Sequence, residues 1–186
     1  MTESRAETRL MNKAVHYLGR YSASRQRLRE VLGRFAMRKL EHLPPVEVRD
    51  AIEVIVEKCV SIGYVDDAQF AASQARSQRR QGRSTLGIKQ RLSVHRLDED
   101  IIKNALDGAD EGVSDGELMA AIRFAKRRRF GPFQTNKSED PAKRQRQMAS
   151  LARAGFAMKI CRQVMDLEDE IAAEDLQESL TNEANG

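Results

Sequence analysis

The chain has 186 residues, of which 40% are hydrophobic, 5% aromatic and 32% charged, with no tryptophan. That balance allows a core but predicts several thin, solvated helices and not one large globule. A net charge of +4 hides an asymmetry: residues 166–186 carry eight acids and no Lys or Arg, so residues 1–165 hold all 32 basic residues against 20 acids, a net of +12. Such a body suits a polyanionic partner. No apolar run reaches the roughly 18 residues of a membrane-spanning helix, and residues 1–13 lack the apolar stretch of a secretion signal. A cytoplasmic location is therefore expected. Cys59 and Cys161 form no CxxC pair and read as reduced, structural thiols.

In chain order, residues 1–10 are expected to be a flexible N-terminus. Pro44-Pro45 marks a helix entry, after which Val48, Ile52, Ile55 and Val56 recur at helical spacing. At Gly63 the pattern stops. A left-handed glycine there would let Tyr64 or Val65 fold back on the finished helix, and Asp66 would cap the next one, with Gln69 three residues on. The Asp66-Asp67 pair has no clustered partner ligands, so capping is expected and a metal site is not.

Residues 76–96 hold seven basic residues and no acid: Arg76, Arg79, Arg80, Arg83, Lys89, Arg91 and Arg96. Ordinary surface helices mix signs, because opposite charges four residues apart are mildly stabilising. A stripe without acids implies anions from outside. On a helix, Arg76, Arg79, Arg80 and Arg83 would share one narrow face, with Ala68, Ala71 and Ala75 on a separate packing face. Ser114-Asp115-Gly116-Glu117 fits a capping box before Leu118, Ala121, Ile122 and Ala125. A second basic block holds Arg123, Lys126, Arg127, Arg128 and Arg129, followed by Lys143, Arg144 and Arg146. Asp140-Pro141 provides a further helix entry. The acidic residues 171–186 are expected to be a mobile tail able to fold over the basic face, although Ile171 and Leu176 could extend the last helix.

Overlaying the helices reveals a repeat. Leu32 and Met37, Leu92 and Leu97, and Leu151 and Phe156 keep one five-residue separation near a helix end, with Ile101 and Ala105 matching Ile160 and Val164 downstream. Ala71 and Ala75 match Ala121 and Ala125 upstream. Gln147 is a misfit, falling where Leu28 and Ile88 supply apolar side chains. The expected fold is all-α, with three tandem three-helix bundles forming an elongated, curved body. The expected boundaries are 11–65, 66–112 and 113–170, followed by the tail.

The stretch Gly63-Tyr64-Val65-Asp66-Asp67-Ala68-Gln69-Phe70-Ala71 resembles the G-(Y/F)-(I/V/L)-D-D-x-x-(F/Y)-A signature of the RecX regulatory proteins. Arg76, Arg80, Gly82 and the Ile88-Lys89-Gln90-Arg91-Leu92 helix continue that family's pattern. Ala14, Leu18, Ser24, Leu28 and Leu32 resemble its opening helices. Ser93-Val94-His95-Arg96 departs from it, because the family usually has a glycine soon after the leucine at 92. The resemblance implies a regulator of homologous recombination, DNA repair and the SOS response. Such a protein binds the RecA recombinase, lodges in the groove of its nucleoprotein filament, suppresses ATPase and strand exchange, and binds single- and double-stranded DNA.

The chain's own chemistry fits an occupancy mechanism. His16, His42 and His95 are scattered, and neither zinc-ligand spacing nor a glycine-rich phosphate loop occurs. No catalytic residue, metal or cofactor is expected, and Tyr17, Tyr21 and Tyr64 read as packing groups. The expected contacts to DNA or filament are Arg76, Arg79, Arg80, Arg83, Lys89, Arg91, Arg96, Arg123, Lys126, Arg127, Arg128, Lys143 and Arg144. A monomer is expected because no heptad seam persists. Two alternatives stay open: a helix-turn-helix transcription regulator, and a helical-repeat adaptor for an acidic protein.

Overall fold

The structure, a computed structural model, describes residues 5–135 and 140–184. The expectations that fall on residues 1–4, 136–139 and 185–186 lie outside the described residues. Its regular elements are helical: α1 (Arg5–Leu18), α2 (Arg25–Lys39), α3 (Pro45–Ser61), α4 (Asp67–Arg80), α5 (Thr85–Ser93), α6 (Glu99–Asp107), α7 (Gly116–Arg128), α8 (Pro141–Arg153), α9 (Met158–Met165) and α10 (Glu170–Asn182), with a 3-10 turn at Gly131–Phe133. Three groups of three helices follow one another, α1–α3, α4–α6 and α7–α9, and α10 comes last. No described helix is long and apolar enough to cross a membrane.

Two compact units form, with their division inside α4: Met1–Phe70 with His95–Leu97, and Ala71–Val94 with Asp98–Gly186. In the first, α1, α2 and α3 pack pairwise around Leu10, Leu28, Leu32, Ile55, Val56 and Cys59. Gly63 takes φ +76, and the Tyr64 and Val65 amides both turn back to the Cys59 carbonyl. Val65 is buried and Tyr64 is exposed, so valine closes the helix end. The two aspartates divide their work: Asp66 accepts the Gln69 amide at 2.9 Å to cap α4, and Asp67 accepts the Arg25 amide at 2.8 Å. Ser24 caps α2 and lies 2.8 Å from His95 Nδ1, whose ring meets Phe70 edge-on at 4.7 Å. Burial pushes the His95 pKa below its ordinary value, with Arg27 adding to that and Glu30 and Asp67 opposing it.

In the second unit, α7 sits centrally, with Leu118 through Ile122 buried along with Phe124 and Ala125. Ala71, Ala75, Ala120, Ala121 and Ala125 are all fully buried. Such small side chains let helices approach closely. Gly82 takes φ +70, and a Cβ there would lie 2.6 Å from the Phe124 amide nitrogen, so only glycine fits. Ser84 caps α5 through the Gly87 amide and donates its hydroxyl to the Ala154 carbonyl. Gln147 is 7% exposed and accepts the Gly131 amide at 3.1 Å, which explains a polar residue at a core position.

Several sequence expectations change. Residues 5–10 are helical, with Leu10 fully buried, instead of flexible. Met37 is 70% exposed because α2 continues to Lys39, seven residues past Leu32, whereas α5 and α8 end one and two residues past Leu92 and Leu151; Leu40, 2% exposed, joins the core instead. Ala68 is exposed, and the buried face of α4 holds Phe70, Ala71, Ala75, Gln78 and Arg79. Asp115, not Ser114, caps α7 by accepting the Leu118 amide. The acidic tail is an ordered helix over residues 170–182: Asp169 caps it, Ala173 and Leu180 are buried, and the Ser114 amide donates to the Leu180 carbonyl at 2.8 Å.

Candidate anion-binding site

The basic residues of the second unit fall into distinct settings. Arg79 is a correction to the expected contact set. It is 3% exposed, and its guanidinium grips Asp110 bidentately (Nε to Oδ1 2.7 Å, Nη2 to Oδ2 2.6 Å). Its Nη1 donates to Glu117 Oε2 at 2.8 Å and to the Arg83 carbonyl at 3.1 Å, and its Nη2 donates to Thr85 Oγ1. Burial alone would lower the Arg79 pKa, but the bonds to Asp110 and Glu117 outweigh it and hold the guanidinium above its ordinary value. With its donors committed inside the fold, Arg79 is a strut and has none left for an outside anion. Glu117, read from the sequence as half of a capping box, instead accepts Arg79, the Thr85 amide and the Thr85 hydroxyl.

Arg76 and Arg80 flank Arg79 on α4 and are exposed, while Arg123 on α7 is half-buried. These three line one cavity of about 370 Å³ with Arg79, Gly108, Ala109, Glu111 and Gly112. Burial lowers the Arg123 pKa, and the charges of Arg79 and Arg80 lower it further while Asp110 partly offsets them.

Arg83 does not continue the α4 stripe, because α4 ends at Arg80 and the chain turns at left-handed Gly82. It belongs with Arg91 and Arg127, whose charges add to burial in lowering the Arg83 pKa. Its Nε is buried without a hydrogen-bond partner. Arg127 donates to the Gln81 carbonyl at 2.7 Å, and Arg127 and Arg128 lie 5.7 and 5.6 Å from the Phe124 ring centroid. Lys89 and Arg91 are exposed on α5.

Other expected contacts are partly spoken for. Lys126 pairs with Glu170 at 2.9 Å and Glu174 at 3.1 Å, and these two bonds raise its pKa. Arg144 on α8 donates to the Met165 carbonyl and to Asp166, while Lys143 beside it is half-buried. Arg96 is exposed in a left-handed turn at φ +53 and belongs to the first unit. Among the described residues, no group of three or more His, Cys, Asp or Glu side chains is gathered to hold a metal ion, and both cysteines are free and buried.

Successive three-helix groups carrying clustered guanidinium groups on α4, α5 and α7 place the chain among all-α helical-repeat proteins. Comparison with known proteins narrows that class. The family model described as "RecX, second three-helix domain" matches residues 66–106. A regulatory protein RecX from Myxococcus xanthus (strain DK1622) is 35% identical over 161 residues, covering 86% of this chain and 85% of the relative. Another, from Agrobacterium fabrum (strain C58), is 29% identical over 165 residues, covering 89% and 85%. The crystal structure of RecX from Lactobacillus salivarius superposes with a TM-score of 0.63 at 20% identity, covering 87% of this chain and 97% of that one, a likeness of fold. The chain belongs to the RecX family of regulatory proteins.

Proposed function

We propose that this chain regulates homologous recombination and DNA repair by binding the RecA recombinase and its DNA filament, lowering ATP hydrolysis and strand exchange through occupancy and without reaction chemistry of its own. One observation carries the reading beyond family membership: Arg76, Arg80 and Arg123 have no hydrogen bond or ion pair to another described residue, in a chain whose other arginines are often paired. A guanidinium left without an internal carboxylate is free to take a phosphate or an acidic surface bidentately. Arg83, Arg91 and Arg128 add to this set. Arg79 leaves it, and Lys126 and Arg144 enter it only by giving up carboxylates.

The test adds the purified chain to preformed RecA filaments on single-stranded DNA and follows ATP hydrolysis together with filament length. The wild-type chain is expected to lower both. The triple variant Arg80→Ala, Arg83→Ala, Arg123→Ala should do so only at higher concentration. Each phosphate contact removed should reduce the salt slope of strand binding by about 0.7. Filaments indifferent to the wild-type chain would end the proposal. Equal inhibition by the triple variant across a salt series would remove these arginines from it.

A further inference from the structure

Basic surfaces on nucleic-acid-binding proteins are commonly diffuse, with cations spread so that a charged backbone meets them in many registers. The second unit holds something more confined. Arg76 and Arg80 stand one turn apart on α4 and Arg123 comes from α7, so arginines from two elements line the same cavity. Its volume of about 370 Å³ falls toward the lower end of the ~300–1,000 Å³ typical of small-ligand sites. The remaining wall is built from Gly108, Ala109 and Gly112, which leave the space open. A Cβ on Gly112 would meet nothing within 4 Å.

The charges around this cavity are unequal. Arg79, which also lines it, is ion-paired to both Asp110 and Glu117, a trio with a net charge of −1. Arg76, Arg80 and Arg123 face Glu111 and that trio, so the lining keeps an excess of positive charge. Arg123 is the least exposed of the three. It has no hydrogen bond or ion pair to another described residue, and the like charges of Arg79 and Arg80 act on it with Asp110 as a partial offset.

We propose that the cavity lined by Arg76, Arg80 and Arg123 is a discrete oxyanion site that takes one phosphate group, with Arg79 as the strut beneath it and Glu111 as a built-in competitor. Planar guanidinium forks from two helices match the oxygens of a phosphate, and the bound anion supplies the charge that Arg123 lacks. Two sources offer this chemistry: a phosphate of a single strand, and a free di- or triphosphate. The proposal deepens the reading above and depends on it for its biological role, but the site is testable without recombinase.

The experiment titrates inorganic pyrophosphate into the full-length chain by calorimetry at low salt, and then titrates a single-stranded thymidine oligonucleotide with and without saturating pyrophosphate. Pyrophosphate is expected to bind at one equivalent. Arg123→Gln should weaken it by about tenfold or more, the loss expected for charge-assisted hydrogen bonds. Arg91→Gln, in the other arginine cluster, should leave it unchanged. Glu111→Gln should tighten binding about twofold to fivefold, and this gain keeps the test decisive even if Arg123→Gln unfolds. Competition between pyrophosphate and the oligonucleotide assigns the site to a strand phosphate, and independent binding assigns it to a free polyphosphate. Unsaturable binding, equal weakening by Arg123→Gln and Arg91→Gln, or no gain from Glu111→Gln would overturn the site in favour of a diffuse basic surface. If pyrophosphate binds as described but Arg123→Gln still inhibits RecA filaments like wild type, the site stands and its part in inhibition falls.

Discussion

Arg79 and Arg80 adjoin in the last turn of α4, and the two flanks of that helix use the same side chain for opposite ends. On the inner flank Arg79 follows Ala75 by four residues and Ala71 by eight, so it continues the buried face and meets Asp110, Glu117 and Thr85. On the outer flank Arg76 and Arg80 stay exposed over an open cavity. A guanidinium brought out of water needs carboxylates to hold it, whereas one left at the surface keeps its donors for a partner. A charge stripe read by sign alone merges the two. Its register against the alanine face separates them.

The comparison breaks most sharply at Arg79 itself. Arg79→Met should lower the unfolding free energy by about 3–5 kcal/mol, because two partly buried carboxylates lose their counter-charge. Urea denaturation followed by circular dichroism measures it, and a loss below about 1 kcal/mol would make Arg79 an ordinary surface residue. A smaller effect sharpens the same point from the far side. A Cβ at Gly116 would come within 2.1–2.5 Å of the Asp110 carboxylate, so Gly116→Ala must push Asp110 off Arg79. The expected loss is about 1–3 kcal/mol, although alanine is the better helix former. Added to Arg79→Met it should cost far less than it does alone, which a double-mutant cycle would show. The smallest change belongs to the outer flank: Arg80→Ala should move stability by no more than about 0.5 kcal/mol while weakening pyrophosphate binding. A large stability loss there would mean that both flanks are structural.

Much of the fold was legible in the sequence because its signals are local. Glycine at 63, aspartate at 66 and proline after Asp140 act within one turn of chain, and each does what its chemistry predicts. The repeat of Ala71 and Ala75 with Ala121 and Ala125 was also readable, because small buried residues at helical spacing require close packing wherever they recur. The candidate site was half legible. Its positive charge is plain, but helical spacing aligns Arg83 with α4, whereas the helix ends at Arg80 and the chain turns left-handed at Gly82. The acidic tail misled in a similar way. Its composition suggested mobility, yet the spacing of Ala173 and Leu180 buries one face, and Glu170 and Glu174 find Lys126.

The amino-acid order alone determined the helical class, several helix ends, the family signature and the sign of the surface, since all four depend on residues within a few positions of one another or on simple sums. Tertiary structure alone decided which cations remain available. Asp110 lies 31 residues from Arg79 and Glu117 lies 38 away, and only folding brings them to 2.6–2.8 Å. Whether a charge faces solvent or a counter-charge depends on what packs against it, and no local pattern encodes that neighbour.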